Sequence, residues 1–290
     1  MKRTGALALA CLLALSACTV PDAPATPSAD VTAALGRVTE PDAVITFPRT
    51  LQAARLVEAQ VHIARDADAA VISATLDSPL FADSPARDGR VRLFADWDNR
   101  VRVPLGTAVC PAPDGEIAEG DTTVILTLEV DGEEVTEVVT ADDAALRKIN
   151  AEECAAQAVL DVATPSFGAI ESQDASLIDT TIVVTRGDSK PEEPVTLSGM
   201  TGNIVFIVRL DEDGPRTLAA GEESIAVPAE ILVGRCDPHV FAESKKTFVF
   251  PVRLAVGDAE PGYVEIQPDD VTRAAMQQLF EDCGEAEREG

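Results

Sequence analysis

Two histidines, six cysteines and many carboxylates are the groups from which this sequence could build a reactive centre. His239 has the richer surroundings, in Cys236-Asp237-Pro238-His239-Val240-Phe241-Ala242-Glu243. Asp237, His239 and Glu243 would converge on a metal if this loop folded back, and a hydrolase or metal-dependent enzyme would be centred there. The trio has neither a second histidine nor a recognised zinc spacing, so the plainer expectation is a polar loop with no metal and no cofactor. His62 lies between Val61 and Ile63 and points away from the core in a strand of period two. There is no Gly-x-Ser-x-Gly elbow, Ser-x-x-Lys, His-Glu-x-x-His, phosphate loop or dinucleotide fingerprint. Asp211-Glu212-Asp213-Gly214 lacks the alternating ligands of an EF-hand and reads as a hairpin turn.

The N-terminus carries an address. Met1-Lys2-Arg3 precedes an apolar run from about Ala6 to Leu15, the layout of a secretory signal. The run is well short of the roughly 20 residues a membrane-crossing helix needs. Its end, Leu15-Ser16-Ala17-Cys18, resembles the lipobox of bacterial lipoproteins. That resemblance implies cleavage before Cys18, a diacylglyceryl group on its sulfur, and a lipid tether to the cell membrane on its extracytoplasmic face. Acyl chains contribute about 0.8 kcal/mol per buried CH₂, so two or more make a stable anchor. Residues 1–17 are then the signal and 18–37 a flexible tether, in which Pro21, Pro24 and Pro27 stand among small and polar residues.

Composition sets limits on the rest. The formal charge of −27 excludes a nucleic-acid partner, which needs clustered Lys and Arg. It also disfavours a direct grip of the folded part on anionic lipid and reads as a solvated, self-repelling surface. Aromatics make up only 4% of the chain, with one Trp and one Tyr, too few for the stacking platforms of sugar-binding modules. Hydrophobic residues, at 46%, are ample for buried cores.

The chain repeats itself. Val103-Pro104, Cys110, a β-like run from Thr122 to Val130, Asp142-Asp143, a helix and Cys154 recur as Val227-Pro228, Cys236, Thr247 to Val256, Asp269-Asp270, a helix and Cys283. Upstream, Val61 to Asp66 matches Ile182 to Asp188 more loosely. Once Cys11 in the signal and Cys18 are set aside, four cysteines allow three pairings. The repeat selects Cys110–Cys154 and Cys236–Cys283, one bridge in each copy and both in an oxidising compartment. Each closes a loop of about 45 residues, worth roughly 4 kcal/mol on the chain-entropy model.

Short β-branched runs bounded by Pro, Gly, Asp or Asn predict strands at Val44–Phe47, Leu56–Ile63, Ala70–Leu76, Val91–Trp97 and Thr122–Val130, with a hairpin at Asp131-Gly132. In the last helix, Val271, Ala275 and Leu279 predict the buried stripe. The expected fold is mostly β: two tandem β-sandwich (Ig-like) domains, 38–160 and 161–286, each with a C-terminal helix tied back by its disulfide.

Cys236, Asp237, Pro238, His239, Ala242, Glu243 and Lys245 also resemble a pattern in uncharacterised secreted and lipid-anchored proteins of high-GC Gram-positive bacteria. The resemblance covers the last 60 residues or so, and it implies a cell-envelope context without an activity. The functional expectation is a non-catalytic envelope lipoprotein that binds another envelope protein or a small ligand, with the membrane as partner through Cys18. The rivals are the His239-centred enzyme and an extracytoplasmic solute-binding protein, the latter short of βαβ alternation.

Overall fold

The computed structural model describes residues 43–63, 68–95, 97–111, 119–187, 192–211, 213 and 216–289. The expected signal, Cys18, the tether and the first residues of the first expected domain lie outside them. The first half runs β1 (Ala43–Thr46), α1 (Arg49–Gln52), β2 (Leu56–Val61), β3 (Ala69–Asp77), β4 (Phe81–Ala82), β5 (Arg87–Arg92), β6 (Asn99–Pro104), β7 (Thr107–Ala108), β8 (Thr123–Val130), β9 (Glu133–Asp142) and α2 (Ala144–Leu160). The second runs β10 (Ala163–Phe167), β11 (Ser172–Gln173), β12 (Leu177–Arg186), β13 (Val195–Met200), β14 (Phe206–Leu210), β15 (Thr217–Leu218) and β16 (Ser224–Val233). It closes with α3 (Pro238–Glu243), β17 (Phe250–Val256), β18 (Gly262–Ile266) and α4 (Asp270–Glu289). The molecule is mostly β, with strands in several sheets.

Alternation shapes the strands. In β8, Val124, Leu126, Leu128 and Val130 are buried while the residues between them are half-buried, as period two requires. Each such side chain contributes about 1.5–3 kcal/mol on burial. Asp131 and Gly132 then take φ of 51° and 89°, the paired positive values of a two-residue hairpin turn, and β9 returns antiparallel.

Strand order repeats between the halves. The first half follows one path, β5-β3-β8-β9-β1-β2-β6; the second splits into β15-β13-β17-β18 and β10-β12-β16-β14. Strand for strand, β5-β3-β8-β9 matches β15-β13-β17-β18 and β1-β2-β6 matches β10-β12-β16, while β14, paired outside β16, has no counterpart beside β6. The first path is continuous because β1 pairs in parallel with the end of β9, Ala43 with Ala141 and Val44 with Asp142. Strand register corrects one expectation. Val103 pairs with Val57 and Val227 with Ile182, so with Val-Pro as anchor the counterpart of Ile182 is Val57, four residues before Val61.

Disulfides join Cys110 to Cys154 and Cys236 to Cys283, across Cα separations of 5.3 and 5.6 Å and spans of 44 and 47 residues. The first ties α2 to the segment after β7, and beside it the buried Asn150 amide donates to the Leu80 and Val109 carbonyls at 2.8 and 3.1 Å. The second ties α4 to the segment after β16.

Buried apolar residues form two clusters, drawn from 43–149 and 159–280. Helix α2 enters both. Leu146 and Ile149 belong to the first, Val159 to the second, and Ala156 packs against the second. Strand β18 runs so close to the helix that a Cβ on Gly262 would meet the Ala155 carbonyl oxygen at 2.5 Å. In the second half, the buried Arg186 at the end of β12 donates to the carbonyls of Glu193, Leu218, Ala219 and Glu222, clasping the loops around β15.

Two expected elements differ. Val91–Trp97 is not one strand: β5 ends at Arg92, and a loop through Trp97 leads into β6. On α4, Val271 is 71% exposed, and Thr272, Met276, Leu279 and Phe280 form the buried stripe with Ala275 beside them. Both stripes have helical spacing. Asp269 accepts from the Thr272 amide at 2.7 Å and fixes where the helix begins, and packing against the second cluster selects the face.

Gly262→Ala should lower stability in urea by about 1–3 kcal/mol, because the added methyl must push α2 off β18. Gly199→Ala, whose Cβ would meet nothing within 4 Å, is the control and should change stability far less.

Candidate functional site

Asp237, His239 and Glu243 do not assemble a centre. Asp237 caps α3, accepting from the His239 amide at 2.9 Å, and all three residues are exposed. Among the described residues, no group of three or more His, Cys, Asp or Glu side chains is arranged to hold a metal ion. His62 sits just past β2, exposed, with Nε2 3.2 Å from an Asp98 carboxylate oxygen. Cys18 lies outside the described residues. No helix among them is long and apolar enough to cross a membrane.

The structure instead gathers side chains along β5, β6 and the loop between them. Arg87, Arg90, Arg92, Arg100 and Arg102 are all exposed there. Trp97, the only tryptophan, is 70% exposed, and Phe94 is 50% exposed. The two rings lie 6.1 Å apart, with the Arg92 guanidinium 5.6 Å from the Phe94 ring centre. Large aromatics left in water beside arginines are the side chains that dominate protein interfaces.

The buried side chain of Asn99 positions this loop. Its Nδ2 donates to the carbonyls of Val61, Phe94 and Trp97 at 3.0–3.2 Å, and its Oδ1 accepts from the Phe94 amide at 2.8 Å. One amide thus replaces strand pairing for the turn and holds Phe94 and Trp97 outward.

Behind the loop, a cleft of about 500 Å³ opens between β5 and β6. Arg87, Arg90, Arg100 and Arg102 line it against two carboxylates, Glu58 and Asp88, and buried Val71, Ala74 and Val101 reach its walls. Glu58 is nearly buried, with Arg100 and Arg102 at 3.9 and 3.7 Å, beyond hydrogen-bond distance. Arg90 is held by Glu129 at 2.6 Å, and this hydrogen bond, with the attraction behind it, keeps the Glu129 carboxyl below its ordinary range. Arg87 has no ion-pair partner within 4.0 Å among the described residues. A second cleft, in the other half, is walled by Glu171, Asp179, Asp211 and Glu230 with Arg209.

Sequence reasoning passed over the 87–102 face. Its signal was available, since five arginines and the only Trp fall within a few turns of chain in a strongly acidic protein. Reading Val91–Trp97 as one strand hid the loop that exposes the rings.

No protein-family model and no curated protein matches the chain. Among solved structures, it is similar to the VesB protease of Vibrio cholerae at 10% identity and a TM-score of 0.24, over 63% of this chain and 78% of that one. No fold or activity is carried over from that likeness.

Asn99→Ala should cost about 1–3 kcal/mol in denaturant, because it leaves buried loop carbonyls unpaired. Trp97 fluorescence anisotropy should fall as the loop loosens. The carboxyls of Glu129, Asp174 and Asp269 all titrate below their ordinary range, through hydrogen bonds from Arg90, Ser176 and Thr272. Their contribution is therefore complete above the unfolded-state value and is lost as pH falls through the lower folded values. The thermal midpoint should drop on acidification below about pH 4 and change little from these groups above it.

Proposed function

We propose that this chain is an exported envelope lipoprotein, anchored through Cys18 to the extracytoplasmic face of the cell membrane, and that it works by binding another protein rather than by catalysis. The observation that carries the reading is the concentration of Trp97, Phe94 and five arginines on one exposed face of a chain whose net charge is −27. Such a face costs solubility, and rim-like aromatics beside arginines gain most when a partner covers them.

The folded part is read as two tandem Ig-like β-sandwiches, 38–160 and 161–286. Support comes from the strand order shared by the halves, from the helix that ends each one, and from a disulfide holding each helix. Long-span disulfides suit an oxidising location outside the cytosol. The tether of residues 18–37 would let the face reach a partner away from the membrane.

Cys18→Ala should leave uncleaved precursor and remove the protein from the lipidated membrane fraction, measured by detergent partition and mass spectrometry. A freely secreted, normally processed Cys18→Ala protein would sink the anchor. A photo-crosslinking residue at position 97 should give a discrete adduct in intact cells, whereas the same residue at exposed position 271 should not. Equal labelling from both positions would remove the 87–102 face as the interaction surface.

A further inference from the structure

The first half closes on itself at β6. Strands β5 and β6 stand at opposite ends of its strand path, yet Cα atoms of β3 and β5 come within 8 Å of β6. No strand pairing joins β5 to β6 among the described residues, so side chains rather than backbone hydrogen bonds fill the seam between them. The cleft of about 500 Å³ lies in this seam, a volume that suits a small ligand and excludes a further strand.

Both walls of the cleft carry arginine. Arg87 and Arg90 come from β5, Arg100 and Arg102 from β6. Residues three apart on a regular strand point to opposite faces. On β5 the pairing with β3 passes from Val71–Val91 to Ser73–Asp88, which leaves an extra residue at Gly89 and Arg90. Such a bulge re-aims the side chains beside it and lets Arg87 and Arg90 line one cleft. On β6, Arg100 and Arg102 share the outer face by ordinary alternation, with Val101 buried between them.

Charge selects the ligand. Acidic residues outnumber basic ones 50 to 23 in the chain, and here the balance is reversed, with four arginines to Glu58 and Asp88. Arg90 is engaged by Glu129 at 2.6 Å, whereas Arg87 has no ion-pair partner among the described residues. Arg100 and Arg102 stand 3.9 and 3.7 Å from Glu58, beyond hydrogen-bond distance. Each wall therefore offers a guanidinium fork suited to carboxylate or phosphate. A single anionic group satisfies one wall; two such groups on a short carbon spacer satisfy both. Val71, Ala74 and Val101 supply apolar surface for the spacer.

We propose that the β5–β6 cleft binds a small organic dianion with a carboxylate or phosphate group at each end, one held by Arg87 on β5 and the other by Arg100 and Arg102 on β6. This site goes beyond the binding of a partner protein through Phe94 and Trp97. The ligand bridges two strands that share no backbone hydrogen bonds, and so it fastens the seam.

The full chain, purified in mild detergent, is titrated by calorimetry at low ionic strength with glutarate and with phosphoglycolate. Butyrate carries one charge, and inorganic phosphate carries its charge on one centre too compact to span; these are the comparison ligands. One saturable site is expected for glutarate or phosphoglycolate, at least about tenfold tighter than for either comparison ligand. The thermal midpoint should rise with the same ligand. Preference between the two dianions tells whether the second group is carboxylate or phosphate. Arg87→Gln, and Arg100→Gln with Arg102→Gln, should each weaken the dianion at least about fivefold with circular dichroism unchanged. Arg235→Gln, which removes an exposed arginine in the other half, should change affinity less than about twofold. If the glutamine variants misfold, Arg87→Lys and Arg102→Lys keep the charge, lose the fork and should weaken binding in the same order.

Equal binding of butyrate or inorganic phosphate, or a loss confined to variants of one wall, would overturn the bridged site in favour of plain attraction to surface arginines. Failure of both dianions to saturate, alongside a discrete adduct from position 97, would remove the cleft as a site and leave the protein-binding face standing. Dianion binding without that adduct would keep the cleft and remove the protein partner.

Discussion

Helix α2 is the constraint on which the arrangement of the described residues depends. A single run of 17 residues places Leu146 and Ile149 in one apolar cluster and Val159 in the other. A helix rises 1.5 Å per residue and keeps its shape through its own hydrogen bonds, so both clusters are tied to one stiff rod. Three features hold that rod from different sides. Cys110–Cys154 and the Asn150 amide fix it to the first half, and the absent side chain of Gly262 lets β18 lie against it. Its apolar contacts are shared rather than self-sufficient.

Two copies of a similar strand order have been finished differently where β2 and β12 end. In the second half, Arg186 donates to four backbone carbonyls from within and leaves little of itself exposed. In the first half, Asn99 does a comparable task with a shorter side chain. The turn it organises carries Phe94 and Trp97 outward, and the adjoining edge carries the arginines. One turn is closed by a buried cation, and the other by a neutral amide with its cations outside.

Net charge gives that surface its context. A strongly acidic molecule repels other acidic molecules at long range, and a local cluster of arginines reverses the field only close to the face. Approach to this face should therefore depend on orientation and salt, and contact elsewhere on the molecule is discouraged.

The sequence by itself determined the period-two strands, the Asp131-Gly132 turn, the repeated order of elements and the cysteine pairs. Those features follow from local sterics, from alternation, and from covalent partners whose spacing recurs. The buried face of α4 was not determined locally, because stripes through Val271 and through Thr272 have equal helical spacing and only contact with the second cluster separates them. Asp237, His239 and Glu243 were a rival centre on residue type, with a polar loop the plainer expectation; in the fold, capping α3 occupies the Asp237 carboxylate. The 87–102 face was decided by tertiary structure. Nothing in a string of residues says that Asn99 will turn its amide back on the carbonyls of Phe94 and Trp97, and those bonds, made across a turn and to a neighbouring strand, are what put the rings in water.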